Sequence, residues 1–210
     1  DEQRIASGFF CGRGICAEPA VIVMSLLGTN PIMLYAGQEL GELGMDSEGF
    51  SGVDGRTTIF DYWGVRSLQA WANNGKFDGA ALSDEQKELR DFYQNLLHIA
   101  TTEKAVANGK KFDLEYAQKD GFNKSKQYAF LRGFKNEVIL VAVNFDAHPA
   151  DLSLIIPQEA FAYLEINPLL TPVSCMDLLS GKTYQFNLLP DTPIRLELPE
   201  WKGLVLKMTL

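Results

Sequence analysis

Residues 28–42, GTNPIMLYAGQELGE, decide the fold expected for this chain. The unbroken apolar run at 32–35 predicts a short strand that is covered on both faces. Gln38, Glu39 and Glu42 follow at once, spaced by glycines. In a parallel α/β barrel, polar groups at the carboxyl end of a strand lie at the mouth of the active site. One strand cannot form a barrel, so we expect this chain to hold only the end of one.

The composition limits the classes of protein to consider. With 210 residues, of which 46% are hydrophobic, the chain suits one large domain or two small ones with a packed core. A net charge of −8 argues against nucleic acid and anionic membranes as partners and suits a neutral substrate. The longest apolar stretch, 20–27, is far short of the roughly 20 residues that span a bilayer, so we expect no transmembrane segment.

The few cysteines and histidines do not form a recognisable framework. Cys11, Cys16 and Cys175 are an odd, low count, and the two histidines, His98 and His148, are far apart. Neither a disulfide scaffold nor a zinc site has this spacing. We expect packed or free thiols and no metal site. The chain begins with Asp rather than Met, which suggests a processed product or a fragment, so the compartment stays unknown.

The first half of the sequence predicts helices joined by a long loop. Residues 17–27 form a short helix with Pro19 in its first turn, where proline fits. Residues 43–82 are rich in glycine and polar residues and form an irregular segment. Ser83 to Gln86 has the pattern of a capping box, which begins a helix that extends to about residue 107. Its apolar residues recur at helical spacing and form one buried stripe: Leu89, Phe92, Tyr93, Leu96, Leu97 and Ala100.

From residue 112 onward the apolar period changes to two. Residues 194–198 and 204–210 alternate apolar and polar side chains, while 137–145 are apolar on both faces and predict a central strand. Seven or eight short strands in about 100 residues indicate an antiparallel sandwich. The boundary between the two halves should lie near 108–111.

Together these segments resemble the C-terminal part of the α-amylase family of glycoside hydrolases (family 13). The resemblance rests on the start at Asp1–Arg4 and on the spacing of Pro31, Tyr35, Gly37, Gln38, Glu39 and Gly41, followed by DGR at 54–56 and FDYW at 60–63. It implies a fold of two parts. Residues 1–109 would be an α/β remnant, the mostly helical last βα units of a TIM-type (β/α)8 barrel. Residues 110–210 would be an all-β antiparallel sandwich domain.

The resemblance also implies a function for the complete enzyme. Such enzymes cleave α-glucosidic bonds in starch and maltooligosaccharides with retention, using a nucleophile and an acid/base about 5–5.5 Å apart. Asp1 matches the family's third carboxylate, which stabilises the transition state. The nucleophile and acid/base belong to earlier strands that this chain lacks, so we expect the isolated chain to be inactive. No cofactor is expected in this chain, and calcium dependence of the complete enzyme stays open.

Further candidate site residues follow from the same resemblance. Arg4 is a polar partner of Asp1 or a surface charge. Gln38 and Glu39 would support the active-site mouth from below rather than act in catalysis. Tyr62 and Trp63, like Trp71, would stack on sugar rings or pin the long loop. Tyr35 should belong to the core.

Two other functions remain open at this point. The chain could be a non-catalytic module whose sandwich binds carbohydrate or has a structural role, or the complete enzyme could be a glucan transferase. The apolar residues of 17–42 add a physical problem, because burying each is worth about 1.5–3 kcal/mol. Either this segment repacks on the sandwich, or a second copy covers it, or the missing barrel portion does.

Overall fold

A computed structural model of the chain describes residues 3–44 and 65–210. The chain divides into two compact units. We call Asp1–Glu18 with Ile32–Asn95 the helical unit, and Pro19–Pro31 with Leu96–Leu210 the sandwich unit. The division of the sequence into 1–109 and 110–210 stays a prediction.

The helices begin where the sequence provides caps. The capping box is confirmed, because the Ser83 backbone N–H donates to Gln86 Oε1 at 3.0 Å and the Gln86 N–H donates to Ser83 Oγ at 3.2 Å. The described helices are α1 (Glu18–Leu26), α2 (Arg66–Ala72), α3 (Asp84–Thr102), α4 (Lys104–Asn108) and α5 (Gln158–Leu164).

The long helix expected from residue 83 to about 107 is split into α3 and α4. Glu103 between them has an extended backbone, with φ −75° and ψ 118°. The hydroxyl groups of Thr101 and Thr102 donate to the carbonyl of His98, at 3.0 and 2.7 Å. Such bonds back to the preceding turn compete with the helical ladder, which fits the end of α3 at Thr102.

The strand predicted at residues 32–35 is wrong. Among the described residues the segment has no strand partner, and its side chains do not form a buried core, since Met33 is 82% exposed and Tyr35 is 40% exposed. A strand needs a neighbour to accept and donate its backbone hydrogen bonds. Within the described residues, every strand lies between 110 and 209, in the sandwich unit. The expected barrel remnant is therefore not visible as sheet structure.

The antiparallel sandwich is confirmed. One sheet has six strands in the order β1-β2-β3-β8-β5-β6, and the second pairs β4 with β7. All the pairings are antiparallel. The strands are β1 (Lys110–Asp113), β2 (Gln127–Phe134), β3 (Glu137–Asn144), β4 (Ala150–Ile155), β5 (Val173–Asp177), β6 (Thr183–Phe186), β7 (Pro193–Leu198) and β8 (Gly203–Thr209).

One apolar core joins the inner faces of the two sheets. On β7, Ile194, Leu196 and Leu198 are buried while the residues between them are exposed, as the period of two predicts. On β3, which lies between β2 and β8, nearly every residue is buried, so both faces of this strand are covered, as its continuous apolar run predicts. The core positions of β7 thus follow from the alternation in the sequence, and those of β3 from its unbroken apolar run.

Helix α1 packs within the sandwich unit. Ile22 and Leu26 are fully buried. A Cβ atom added to Gly203 of β8 would lie 2.8 Å from both Ile22 Cδ1 and Val143 Cγ1, so the glycine permits this close approach. Part of the apolar segment 17–42 is thus covered by the sandwich, while Met33 and Tyr35 of the helical unit are not.

The expectation for the cysteines was wrong for one pair. Cys11 and Cys16 form a disulfide, with their Cα atoms 6.2 Å apart. Gly12 lies between them and has a φ of +73°, an angle that glycine adopts without strain. This turn helps the loop to fold back, so that the two cysteines, five positions apart, come within reach of a disulfide. Cys175 is free and buried, and burial raises the pKa of its thiol to about 12. Among the described residues, no helix is both long and apolar enough to cross a membrane.

Candidate functional site

The segment 37–42 forms a tight turn in the helical unit. Gly37 and Gly41 bracket a 3-10 turn, Gln38–Leu40, and both adopt left-handed backbone angles, with φ 85° and 71°. The N–H groups of Leu40 and Glu42 both donate to the carbonyl of Gly37, at 3.0 Å. Only glycine adopts such angles without strain. The glycine spacing thus presents Gln38, Glu39 and Glu42 from one compact loop.

Gln38 connects this turn to helix α3. Its Nε2 group donates to the hydroxyl of Tyr93 at 3.1 Å. Tyr93 is 1% exposed, and its burial raises its pKa to about 12. A buried hydroxyl needs such a partner, since an unmade hydrogen bond in the interior is costly. Gln38 is therefore a supporting residue whose side chain fixes the position of the turn.

Glu42 is a buried carboxylate whose two oxygens both accept hydrogen bonds. Ser67 Oγ donates to Oε2 at 2.5 Å, and the backbone N–H of Gly44 donates to Oε1 at 3.1 Å. Glu42 is 4% exposed and Ser67 is 7% exposed. Buried charges persist only when they are paired or hydrogen-bonded. This carboxylate therefore joins the turn to the start of α2.

Arg4 lies in the same cluster. Its guanidinium carbon is 4.0 Å from the centroid of the Tyr35 ring, and the residue is 7% exposed. Burial lowers the pKa of the Arg4 guanidinium, while the charge of Glu42 acts in the opposite direction, followed by Tyr35 and Glu39. The positive charge of Arg4 thus offsets the negative charge of the turn. The predicted place of Tyr35 in the core is wrong: the residue is 40% exposed, and its ring stacks against Arg4 instead.

The predicted site residues fall into two groups. Arg4, Gln38 and Glu39 are brought into one cluster of the helical unit, with Glu39 among the charges that act on Arg4. Asp1, Tyr62 and Trp63 lie outside the described residues. The catalytic and sugar-stacking roles given to those three stay predictions.

Two members of the cluster were missed by sequence reasoning. Tyr93 was read only as part of an apolar helical stripe, although a tyrosine on such a stripe carries a hydroxyl that needs a partner. Ser67 gave no signal, because nothing in the sequence links it to Glu42, 25 residues earlier. Long-range polar pairs of this kind become visible only in three dimensions.

The contacts of Trp71 favour the second of the two roles predicted for it, which is to hold the long loop in place. The Arg90 guanidinium carbon lies 4.1 Å from the centroid of its ring. A Cβ atom on Gly79 would come within 2.9 Å of the ring, so the backbone of the following loop packs closely on Trp71. The contact with Arg90 of α3 and the close approach of Gly79 indicate that the Trp71 ring anchors residues 71–79 to α3.

A small pocket of about 160 Å³ lies between the disulfide loop, the turn and the start of α3. Arg13 and Glu85 form an ion pair at its edge, with Arg13 Nη2 3.3 Å from Glu85 Oε1. Its lining residues are Gly12, Arg13, Gly14, Leu40, Gly41, Leu43, Glu85, Gln86 and Leu89. Within residues 3–44 and 65–210, no cluster of three or more potential metal ligands occurs.

Comparisons with known proteins give a match in structure only. Neither a protein-family model nor a curated protein sequence matches the chain. Among solved structures, the chain is similar to a noncanonic maltogenic α-amylase, AmyB, from Thermotoga neapolitana, with a TM-score of 0.64, 13% identity and 100% of this chain covered. It is also similar to AmyP in complex with maltose, with a TM-score of 0.58, 15% identity and 92% coverage.

A third similar structure is that of the γ-CGTase from alkalophilic Bacillus clarkii, with a TM-score of 0.57, 16% identity and 100% of this chain covered. The fold of this chain is therefore one that occurs within α-amylase structures, which confirms the predicted resemblance at the level of fold. The chain covers 39%, 34% and 25% of the lengths of these three proteins.

Proposed function

We propose that this chain is the C-terminal portion of a retaining enzyme that acts on α-glucans, of the α-amylase type. Residues 1–109 would complete a catalytic (β/α)8 barrel, and residues 110–210 would form the sandwich domain that follows it. The complete enzyme hydrolyses α-glucosidic bonds in starch and maltooligosaccharides, and the chain alone is inactive.

The observation that carries the proposal is the buried turn at 37–42, in a chain whose fold is similar to an α-amylase along its full length. The turn holds Gln38 and Glu42 with their polar atoms engaged. Both side chains therefore act as supports, as expected below an active-site mouth.

In this proposal Asp1 stabilises the charge that develops on the sugar ring in the transition state. Its carboxylate acts only with a nucleophile and an acid/base, which the rest of the barrel provides. Arg4 is three positions further along the sequence and is the nearest basic side chain to Asp1 in sequence.

Reconstitution tests this function. The chain is expressed together with the barrel portion encoded upstream of it, and the release of reducing sugar from maltoheptaose is measured. We expect activity from the reconstituted protein and none from the chain alone. Asp1→Asn should lower kcat by orders of magnitude, whereas Glu2→Gln, the matched control, should leave it nearly unchanged.

The assignment of Asp1 is wrong if the reconstituted Asp1→Asn protein retains the full rate. Hydrolysis by the isolated chain would contradict its proposed inactivity. Product analysis separates the remaining branches: free maltooligosaccharides indicate a hydrolase, and longer or cyclic glucans indicate a transferase.

We also propose that the exposed apolar side chains of the helical unit are covered by the missing barrel portion. Phe9, Phe10 and Met33 are 62%, 64% and 82% exposed, and Leu43 is 42% exposed. Such surface is costly in water and marks an interaction site. The isolated chain should bind an apolar dye or self-associate, and adding the barrel portion should suppress both. Met33→Ser should weaken the effect more than Met176→Ser in the sandwich unit; a monodisperse monomer without dye binding contradicts this proposal.

A further inference from the structure

Three aromatic rings of the sandwich unit meet at the surface beside the edge strand β1. Phe112 belongs to β1, Tyr116 to the 3-10 turn that follows it, and Tyr163 to α5. The centroid of the Phe112 ring lies 6.2 Å from that of Tyr116 and 5.8 Å from that of Tyr163. Tyr116 is 61% exposed and Tyr163 is 50% exposed. We call these three residues the tyrosine platform.

The platform is fixed from below and from one side. Phe112 is partly buried and packs against the sandwich core. Lys110 Nζ lies 5.4 Å from the centroid of the Tyr163 ring, donates to the Tyr163 carbonyl at 3.2 Å and contacts Glu165 Oε1 at 2.9 Å. Each exposed ring thus contacts the partly buried Phe112, and Tyr163 also contacts Lys110, which reduces the side-chain entropy that ligand binding would cost.

Two carboxylates, Glu159 and Asp191, act electrostatically on Tyr116 of the platform. Glu159 and Tyr163 are four residues apart on α5 and share a face of the helix. Partial desolvation, followed by the charges of Glu159 and Asp191, raises the pKa of the Tyr116 hydroxyl. Of the two exposed lysines on β1, Lys110 is paired with Glu165. The carboxylates near Tyr116 can accept hydrogen bonds from a ligand's donors.

These features match the chemistry of a neutral sugar. A pyranose ring has an apolar face of C–H groups that stacks on a flat aromatic ring, and hydroxyl groups that donate at its rim. The exposed tyrosine rings can stack on the C–H face of the sugar. Carboxylates can accept charge-assisted hydrogen bonds from the sugar hydroxyls. We propose that the tyrosine platform binds a neutral oligosaccharide, with sugar rings on Tyr116 and Tyr163 and their hydroxyls donating to Glu159 and Asp191.

A second copy of the chain is a less suitable occupant. β1 is an edge of the six-stranded sheet, and an exposed edge is where another chain would add a strand. Lys110 and Lys111 are both exposed on this edge. Lysines on an edge strand oppose pairing between copies, since the like charges would meet. The platform therefore presents its rings beside an edge that resists self-association.

The proposal goes beyond the proposed function, because the platform lies in the sandwich unit and no catalytic step involves it. Only the choice of an α-glucan as the first probe rests on that function. Calorimetry of the 210-residue chain with maltoheptaose, and with cellohexaose in parallel, measures binding. We expect saturable binding that Tyr116→Ala and Tyr163→Ala each weaken about tenfold, and that the double variant abolishes.

Three further variants sharpen the result. Tyr116→Phe retains the stacking face and should bind nearly as the parent chain does, while Glu159→Gln should bind more weakly. Leu170→Ala is the matched control, because it removes a side chain that is 91% exposed from the same unit. It should leave binding unchanged. Circular dichroism of each variant checks that the unit remains folded.

The outcomes separate this proposal from the proposed function. Binding of cellohexaose but not maltoheptaose supports the platform and contradicts the α-glucan assignment. The proposal for the platform is wrong if neither sugar binds, or if the double variant binds as tightly as the parent chain. This conclusion holds whether or not the reconstituted enzyme is active. A dimer seen by light scattering that the double variant loses would assign the platform to self-association and overturn the proposal as well.

Discussion

The helical unit and the sandwich unit maintain their structures by different means. In the sandwich unit, eight strands pair their backbones and share one apolar core. In the described part of the helical unit, no strand occurs, and short helices and turns are joined by single side-chain contacts. Met33 and Tyr35 stay exposed there. Both units leave apolar side chains exposed, Leu170 of the sandwich unit among them, so the two units differ in how their backbones are paired rather than in exposure.

The largest expected effect comes from Arg132 of β2, which tests how the sandwich unit retains its helices. The residue is 2% exposed. Its guanidinium donates to the carbonyls of Ala105, Val106, Gly109 and Leu27, at 3.1, 2.6, 3.0 and 2.8 Å. Arg132→Met leaves these acceptors unpaired and should cost on the order of 3 kcal/mol.

Urea unfolding followed by circular dichroism measures this loss. Arg195→Met on β7, an exposed site, is the control and should change stability by less than about 0.5 kcal/mol. Equal losses in the two variants would show that the buried arginine does not hold α1 and α4 to the sheet.

A smaller effect is expected from the disulfide of the helical unit. In the loop-entropy model, a bridge over five residues of separation stabilises by about 2 kcal/mol. Cys11→Ser with Cys16→Ser should therefore raise hydrogen exchange in the helical unit. Cys175→Ser in the sandwich core serves as the comparison and should affect only its own unit. Unchanged exchange in residues 11–18 and 32–44 of the helical unit would mean that the loop is held by its other contacts, such as the Arg13–Glu85 ion pair.

The next effect separates backbone strain from crowding at the candidate site. Gly37 and Gly75 have the same φ of +85°, but an added Cβ meets Glu42 Cβ at 3.2 Å at Gly37 and no atom within 4 Å at Gly75. Both alanine variants bear the strain of a left-handed backbone, about 1–2 kcal/mol. Gly37→Ala should cost about 1 kcal/mol more, as measured by thermal unfolding. Identical losses would assign the whole cost to the backbone.

The smallest effect at neutral pH is expected from Tyr93. Its folded-state pKa is raised to about 12 by burial, above the unperturbed value of about 10. The protonated hydroxyl therefore stabilises the fold below about pH 10, and this contribution is lost as the pH rises toward 12. Tyr93→Phe should cost about 1 kcal/mol at neutral pH and flatten the alkaline fall in stability. A slope identical to that of the parent chain would contradict the burial of this hydroxyl.

Sequence reasoning succeeded wherever the signal was local. The capping box at Ser83, the helix at 18–26 and the alternating strands of the sandwich all depend on residues near one another in the chain. It failed for the strand at 32–35 and for the disulfide. Strand formation depends on a partner in space, and the Cys11–Cys16 bridge depends on how the intervening loop turns.

The candidate site shows the same division. The glycine spacing of 37–41 predicted a cluster of polar groups after a strand; the cluster is present, but the strand before it is not. The resemblance to α-amylases is confirmed at the level of fold, while the barrel remnant stays a prediction. The links from Gln38 to Tyr93 and from Glu42 to Ser67 could not be predicted, since they join residues 55 and 25 positions apart. The same holds for the tyrosine platform, which gathers residues of β1, a turn and α5.

By itself, the sequence determined the helix starts, the period of the strands and the places where only glycine fits, because steric and hydrogen-bonding preferences act between near neighbours. The tertiary structure alone decided which polar groups meet, that α1 is covered by the sandwich, and that residues 32–35 stay unpaired. The physical reason is that burial and strand pairing depend on which segments are close in space, and that distance is set by the whole fold.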